Sequence, residues 1–229
     1  MQKEKILESL LKRYNNLMPL KKQIRDAADI IISSYENGGK VLVCGNGGSS
    51  SDSGHIVGEL MKGFEMKRPL DNDIKQKLKE LSPERGNILA ENLQQGLPAI
   101  SLSAHSDLMT AIVNDINGDL IFAQQVTGYG KKGDVLFAIS SSGNSQDVLD
   151  ALIVAKAKDM KTIGMTGEGG GKIKEYCDVL IEVPGKQTAW IQELHLPVYH
   201  TLCLMVEDHF FSDSKKNSSL LWRKKSLAR

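Results

Sequence analysis

The stretch Lys40–His55, KVLVCGNGGSSSDSGH, restricts the fold of this chain more than any other segment. Lys40–Cys44 is a short apolar, β-branched run of the kind that forms a buried parallel strand. Gly45, Gly47 and Gly48 follow at once, then Ser49, Ser50, Ser51 and Asp52. This is a strand entering a glycine turn, a cluster of N-cap residues and then a helix. Such a junction leaves backbone N–H groups and hydroxyls at the positive end of a helix, which suits an anion. It has neither the Gly-Lys-Ser/Thr of a Walker A loop nor GxGxxG spacing, so a nucleotide is not the first reading.

The same pattern occurs again. Asp134–Ser140 (DVLFAIS) is a second apolar strand, followed by Ser140, Ser141, Ser142, Gly143, Asn144 and Ser145 and then by the helical run Gln146–Ala155. A lone cluster of this kind reads equally well as an ordinary Ser/Gly turn with an N-cap. Two of them, each after a buried-type strand, favour a phosphate cradle of hydroxyl and amide donors.

A chain of 229 residues fits one α/β domain with helical decoration. Its 29 Lys+Arg and 28 Asp+Glu nearly cancel, so nucleic acid and acidic membranes are not expected partners. No apolar run approaches the roughly 20 residues needed to span a bilayer. The opening MQKEKILESLLKRY is charged and amphipathic, without a signal-peptide core. Cys44, Cys177 and Cys203 are far apart and lack CxxC spacing, which reads as reduced thiols in a cytoplasmic protein. Cys44, beside the glycine turn, is open to two readings: a nucleophile or a small core residue.

Hydrophobic periodicity predicts an N-terminal helix carrying Ile6, Leu10, Leu11 and Leu17, then a second helix over Leu20–Tyr35 ending at Asn37-Gly38-Gly39. Five strands follow: Val41–Cys44, Ala99–Ser103, Val135–Ile139, Thr162–Met165 and Val179–Val183. Helices over Ser53–Phe64, Ser106–Asn114, Ile121–Tyr129, Ser145–Lys158 and Lys172–Tyr176 separate them. This alternation predicts a doubly wound, five-stranded parallel sheet, in which ligands sit beyond the C-terminal ends of the strands. Met66–Gly96 is charged and polar and reads as a surface insertion or lid with one helix over Ile74–Leu81. Thr188–Phe211 is a long apolar helix, buried against the sheet or another subunit. The tail from Lys215 to Arg229 is basic, and reads either as a solvated tail or as a nucleic-acid or anionic-lipid contact.

Two helices carry the candidate chemistry. His55 and Glu59 are four apart, about 40° around a helix, and share a face. Such a pair can ligate one metal, place a general base beside the group that orients it, or be an ordinary surface pair. The last helix contains Gln192, Glu193, His195 and His200. Gln192 and His200 are separated by about 80° and about 12 Å, and long side chains could converge near its middle. Pro197 should kink this helix, because it cannot donate to the Glu193 carbonyl. A histidine on a buried helix can equally be a core residue.

Taken together, GNGGSSSDSGHIVGEL, AIVNDINGD, AISSSGNSQDVLDAL and TAWIQELHLPVYH resemble the sugar isomerase (SIS) domain, and within it the phosphoheptose isomerase family, in the family's order and over roughly Leu10–Phe211. The resemblance implies a single SIS domain over residues 1–212, with the insertion at 66–96 and the basic tail at 213–229. It implies an aldose–ketose isomerase converting sedoheptulose 7-phosphate to D-glycero-D-manno-heptose 7-phosphate, in a homotetramer with active sites at subunit interfaces. By the same resemblance Ser140, Ser141, Ser142 and Ser145 form the phosphate loop, while Asn46 and Ser49 contact the sugar chain. Asp115 binds substrate hydroxyls, Glu59 is the base and His200 its acid partner. His55, Glu59, Gln192 and His200 match the Zn2+ site of some members, with Gln192 also facing substrate. A metal-free acid–base pair of Glu59 and His200 is the alternative.

The residue types suit an enediol isomerisation. A carboxylate removes a proton from carbon, an imidazole shuttles protons to oxygen, and a metal would stabilise the enediolate. The chain departs from the family pattern in the length of Met66–Gly96, in Gly63 beside Lys62, and in Trp190, where the family has Arg at the last two of these sites. These departures bear on substrate choice more than on reaction type. Two other functions fit the same domain: a non-catalytic SIS protein that binds a replication initiator, and a sugar-phosphate sensor. No helix-turn-helix precedes the domain, which disfavours the sensor.

Overall fold

The alternation of side chains along the strands decides how the layers form. In β1 (Val41–Gly45) and β3 (Val135–Ile139) every residue is buried. Val41, Val43, Val135, Phe137 and Ile139 enter the core on one face, and Leu42, Cys44, Leu136 and Ala138 enter a second core on the other. Near-continuous apolar strands of this kind need cover on both faces. The computed structural model describes residues 2–212 and supplies that cover; the basic tail lies outside the described residues.

With β2 (Ala99–Ser101), β4 (Lys161–Thr166) and β5 (Val179–Glu182), the strands form one sheet, all parallel, in the order β2-β1-β3-β4-β5. One face is covered by α1 (Gln2–Arg13), α2 (Lys21–Glu36), α3 (Gly48–Met61) and α9 (Thr188–Phe211), through residues such as Leu10, Ile24, Ile56 and Leu202. The other is covered by α7 (Ile121–Tyr129) and α8 (Gln146–Ala157), through Phe122, Val126, Val148 and Leu152. Much of the apolar surface of α9 is therefore consumed within one chain, by α1 and α2 as well as by the sheet. This helix runs unbroken through Pro197, and the hydroxyl of Thr201 donates to the Pro197 carbonyl at 2.8 Å.

Several boundaries differ from the sequence reading. Helix α3 starts at Gly48, so Ser49, Ser50 and Ser51 belong to its first turns instead of preceding it; Gly47, at φ 55°, turns the chain early enough for this. Lys172–Tyr176 is a 3-10 turn, and β2 stops at Ser101. The segment 66–96 holds two helices, α4 (Asn72–Leu81) and α5 (Pro83–Asn92). They form a hairpin in which Gly86 meets the Leu78 carbonyl so closely that a Cβ would collide with it. A bridge between Pro69 and Gln94 closes its base. Helix α6 (Ser106–Asp115) follows β2.

The neck of the hairpin is not a surface feature. Arg68 and Glu207 are both fully buried and stand 2.8 Å apart. Glu207 accepts from the backbone N–H groups of Phe64 (2.8 Å), Glu65 (2.9 Å) and Met66 (3.2 Å) and from Arg68 Nε (2.9 Å). Arg68 in turn donates to the carbonyls of Leu60 (2.7 Å) and Glu59 (3.0 Å), satisfying orphan acceptors at the end of α3. Removing one partner of a sealed ion pair leaves an uncompensated charge and costs about 3–5 kcal/mol. Glu207→Gln should therefore lose about that much stability in urea unfolding; a loss below about 1 kcal/mol would show that the pair is not sealed.

Candidate active site

The strand order places a crevice where the winding reverses. From β1 the chain moves outward to β2, then returns to β3 on the other side of β1 and continues to β4 and β5. At such a switch point the loops leaving the two central strands diverge and open a ligand site. The loops concerned are Asn46–Gly47 after β1 and Ser140–Ser145 after β3, whose strands end in register at Gly45 and Ile139.

The second loop is built to present donors. Ser140 Oγ lies 3.1 Å from Ser145 Oγ, and Ser142 Oγ accepts from the Asn144 N–H at 3.2 Å. Gly143 has φ 65° and packs against the Gly170 carbonyl, leaving no space for a Cβ. Ser142 is exposed, while Ser141 and Ser145 are half-buried. Ser145 precedes α8 without using its side chain as a cap, so its hydroxyl, paired with that of Ser140, stands at the positive end of that helix. The first loop is tied across: Asn46 Nδ2 donates to both carboxylate oxygens of Asp147, at 2.9 Å each. Ser49 is buried against Gly45.

A second cluster forms where α3 packs on α9. His55 Nε2 lies 3.3 Å from Glu59 Oε1 and 3.4 Å from His200 Nε2. The His55 and His200 rings meet edge to face with centroids 4.8 Å apart, and Phe64 closes on His200 at 5.3 Å. Burial, then the neighbouring His55, lower the pKa of His200 against the opposing pull of Glu59, and so disfavour its charged form. Lys62 Nζ pairs with Glu59 Oε2 at 3.1 Å. The Glu59 side chain is 12% exposed and His55 43%, so the pair is screened but reachable.

Other expected site residues lie apart from this cluster. Gln192 covers the start of α3, where a Cβ on Gly48 would stand 2.5 Å from its Nε2. That is seven residues before His55, about 10 Å along the helix. Asp115 is exposed at the end of α6, where it accepts from Asn114 Nδ2 at 2.7 Å. His195 is fully buried, and burial drops its pKa to about 4, as for a core residue. Cys44 is also fully buried, which pushes its thiol well above the range of a nucleophile. Among the described residues no three His, Cys, Asp or Glu side chains are already arranged to hold a metal ion.

The sequence reading missed Tyr199 and Asp52. Tyr199 OH lies 3.0 Å from His55 Nδ1 and 3.2 Å from Asp52 Oδ1. Their positions carried a signal: Asp52 is three residues before His55 on the same helix face, and Tyr199 adjoins His200.

A doubly wound sheet with serine-rich and glycine-rich loops at the switch point defines a class, and comparison agrees. The SIS domain family matches residues 7–95 and 76–167. A phosphoheptose isomerase from Rhodospirillum rubrum is 41% identical over 185 residues, 81% of this chain and 85% of that protein. Solved structures of phosphoheptose isomerases from Neisseria gonorrhoeae and Francisella tularensis superpose with TM-scores of 0.69 and 0.71 at 32% and 33% identity, each covering 88% of this chain and 94% of the other. The chain belongs to the phosphoheptose isomerase family of SIS-domain proteins, and so to the aldose–ketose isomerases. No helix among the described residues is long and apolar enough to cross a membrane.

The loop geometry yields a direct test. A hydrogen bond to a charged group is worth about 1.5–3 kcal/mol. Ser142→Ala combined with Ser145→Ala should weaken a sugar phosphate by at least about 100-fold in calorimetry while leaving the circular dichroism spectrum intact. Unchanged affinity would move the phosphate to the Asn46–Ser51 segment.

Proposed function

We propose that this chain converts sedoheptulose 7-phosphate to D-glycero-D-manno-heptose 7-phosphate through an enediol, with Glu59 as base and His200 as acid. The observation that carries this reading is the meeting of a carboxylate from α3 and an imidazole from α9 on either side of His55. Glu59 removes the C1 proton of the ketose and returns it to C2. His200 serves the two oxygens, giving up a proton to one and taking it from the other. Lys62 holds Glu59 by Oε2, which leaves Oε1 directed at the cluster. The Ser140–Ser145 loop binds the phosphate at the far end of the sugar; that binding energy holds the reacting carbons in place and so lowers the barrier. Asn46, Ser49, Asp115 and Gln192 contribute contacts to the sugar chain in this reading.

We further propose that His55, Glu59, Gln192 and His200 hold Zn2+ in the loaded enzyme. Two ligands of a tetrahedral zinc stand about 3.3–3.4 Å apart. The His55–Glu59 and His55–His200 separations of 3.3 and 3.4 Å fit this spacing, whereas Gln192 must swing away from Gly48 to join them. When bound, zinc supplies Lewis-acid stabilisation of the developing enediolate. A cytoplasmic homotetramer completes the proposal. It is supported by family membership and by Trp190 and Leu196, which leave 57% and 41% of their surface exposed on a helix that is otherwise largely buried.

Glu59→Gln keeps the shape of the base but cannot take a proton. It should lower turnover by about 100- to 10,000-fold while sugar phosphate still binds. Near-wild-type turnover would reject Glu59 as the base. Elemental analysis of protein purified without chelator should find stoichiometric zinc that disappears in His55→Ala; full activity in the chelated enzyme would reject a catalytic metal.

A further inference from the structure

We infer that Tyr199 and Asp52 are positioning residues that fix the tautomer of His55, placing its proton on Nδ1 and turning the bare Nε2 toward Glu59 and His200. The inference follows from counting donors. The hydroxyl of Tyr199 has one proton and two neighbours, Asp52 Oδ1 at 3.2 Å and His55 Nδ1 at 3.0 Å. Burial raises the pKa of Asp52 while the Tyr199 hydroxyl and His55 oppose the rise, and in its ionised form this carboxylate can only accept. Tyr199 therefore donates to Asp52, and its oxygen accepts from His55 Nδ1–H. The second oxygen of Asp52, Oδ2, is buried without a hydrogen-bond partner, so Tyr199 is the donor on which this carboxylate depends. The reverse arrangement, with Tyr199 donating to His55, would take from the buried Asp52 the donor it depends on, whereas Glu59, which the proposed arrangement deprives of a His55 proton, keeps Lys62 at 3.1 Å.

The consequence lies on the other side of the ring. With the proton held at Nδ1, Nε2 offers a lone pair to a point 3.3 Å from Glu59 Oε1 and 3.4 Å from His200 Nε2. Left to itself, His55 would do the opposite, because a carboxylate one helical turn away attracts an Nε2–H. The Tyr199–Asp52 pair prevents that. It keeps His55 from donating to Glu59, leaving Oε1 free to accept a substrate proton, and it turns toward the cluster a nitrogen able to accept from His200 or to ligate a cation. Hydrogen bonds behind a ligating histidine commonly select its tautomer in this way. The role of Nε2 in metal binding rests on the zinc reading above; the tautomer does not.

The test uses full-length, metal-free protein labelled with nitrogen-15 at histidine, at a pH where the rings are neutral. His55 is identified by the signals lost in His55→Gln. Long-range nitrogen–proton correlation should show a protonated Nδ1 and a bare Nε2 in the wild type. In Tyr199→Phe, which removes one oxygen from the side chain, and in Asp52→Ala, which frees Tyr199 to donate to the ring, the proton should move to Nε2. A wild-type His55 protonated at Nε2, or a tautomer unchanged in both variants, would overturn the inference. In parallel, chelator competition should show zinc binding weakened by about 10- to 100-fold in Tyr199→Phe. A wild-type protein that takes up no zinc rejects the metal reading alone, and the nitrogen signals still decide the tautomer.

Discussion

A carboxylate sealed away from water holds together the end of this molecule where His55, Glu59 and His200 meet. Glu207, on α9, collects three backbone N–H groups and the guanidinium of Arg68, and Arg68 reaches on to the last carbonyls of α3. Charges taken from water in this way cost several kcal/mol each unless every lone pair and proton finds a partner. Here the partners come from three separate parts of the chain, so the pair is satisfied only when α3, the Phe64–Arg68 turn and α9 are all in place. His55 and Glu59 lie on the first of these elements and His200 on the last. The closeness of the three side chains follows from that junction.

The same junction explains how a long insertion is tolerated. The hairpin of α4 and α5 leaves the domain just after Arg68 and returns at Gln94, where the Gln94 side chain accepts from the Gly63 N–H and the Gln95 N–H donates to the Arg68 carbonyl. The hairpin can extend outward because its base is pinned. Lys62, at the foot of this neck, pairs with Glu59 and supplies a cation beside its carboxylate. Gly63 lies in this neck, whereas Trp190 lies in the first turn of α9, close to Gly185 and away from Glu59.

Much of this was legible in the sequence, for physical reasons. Val41–Cys44 and Val135–Ile139 are short, apolar and β-branched, and each runs into glycine and serine, so strands, turns and the crevice between them could all be placed. The His55–Glu59 pair followed from helical spacing alone. The start of α3 was misplaced because serine is a good N-cap and was read as one, although Gly47 had already turned the chain. Helix α5 was missed inside a polar run, although Pro83 following Ser82 is a helix-start signal. The burial of Arg68 is hidden in a segment whose charge reads as surface, and its partner is 139 residues away. Tyr199 carries no such signal. Its role depends on the tyrosine hydroxyl reaching across from α9 to α3, which no periodicity reports.

The central claim is that a proton leaves one carbon of the sugar for a carboxylate and is returned to the next. Running the reaction with sedoheptulose 7-phosphate in deuterium oxide and examining the aldose product by NMR tests this most directly. The reaction is reversible, so even slow exchange of the proton carried by the base accumulates over repeated turnovers, and the aldose at equilibrium should carry deuterium at C2. An equilibrated aldose with no deuterium at C2 would mean that hydrogen passes directly from C1 to C2, and would contradict the account.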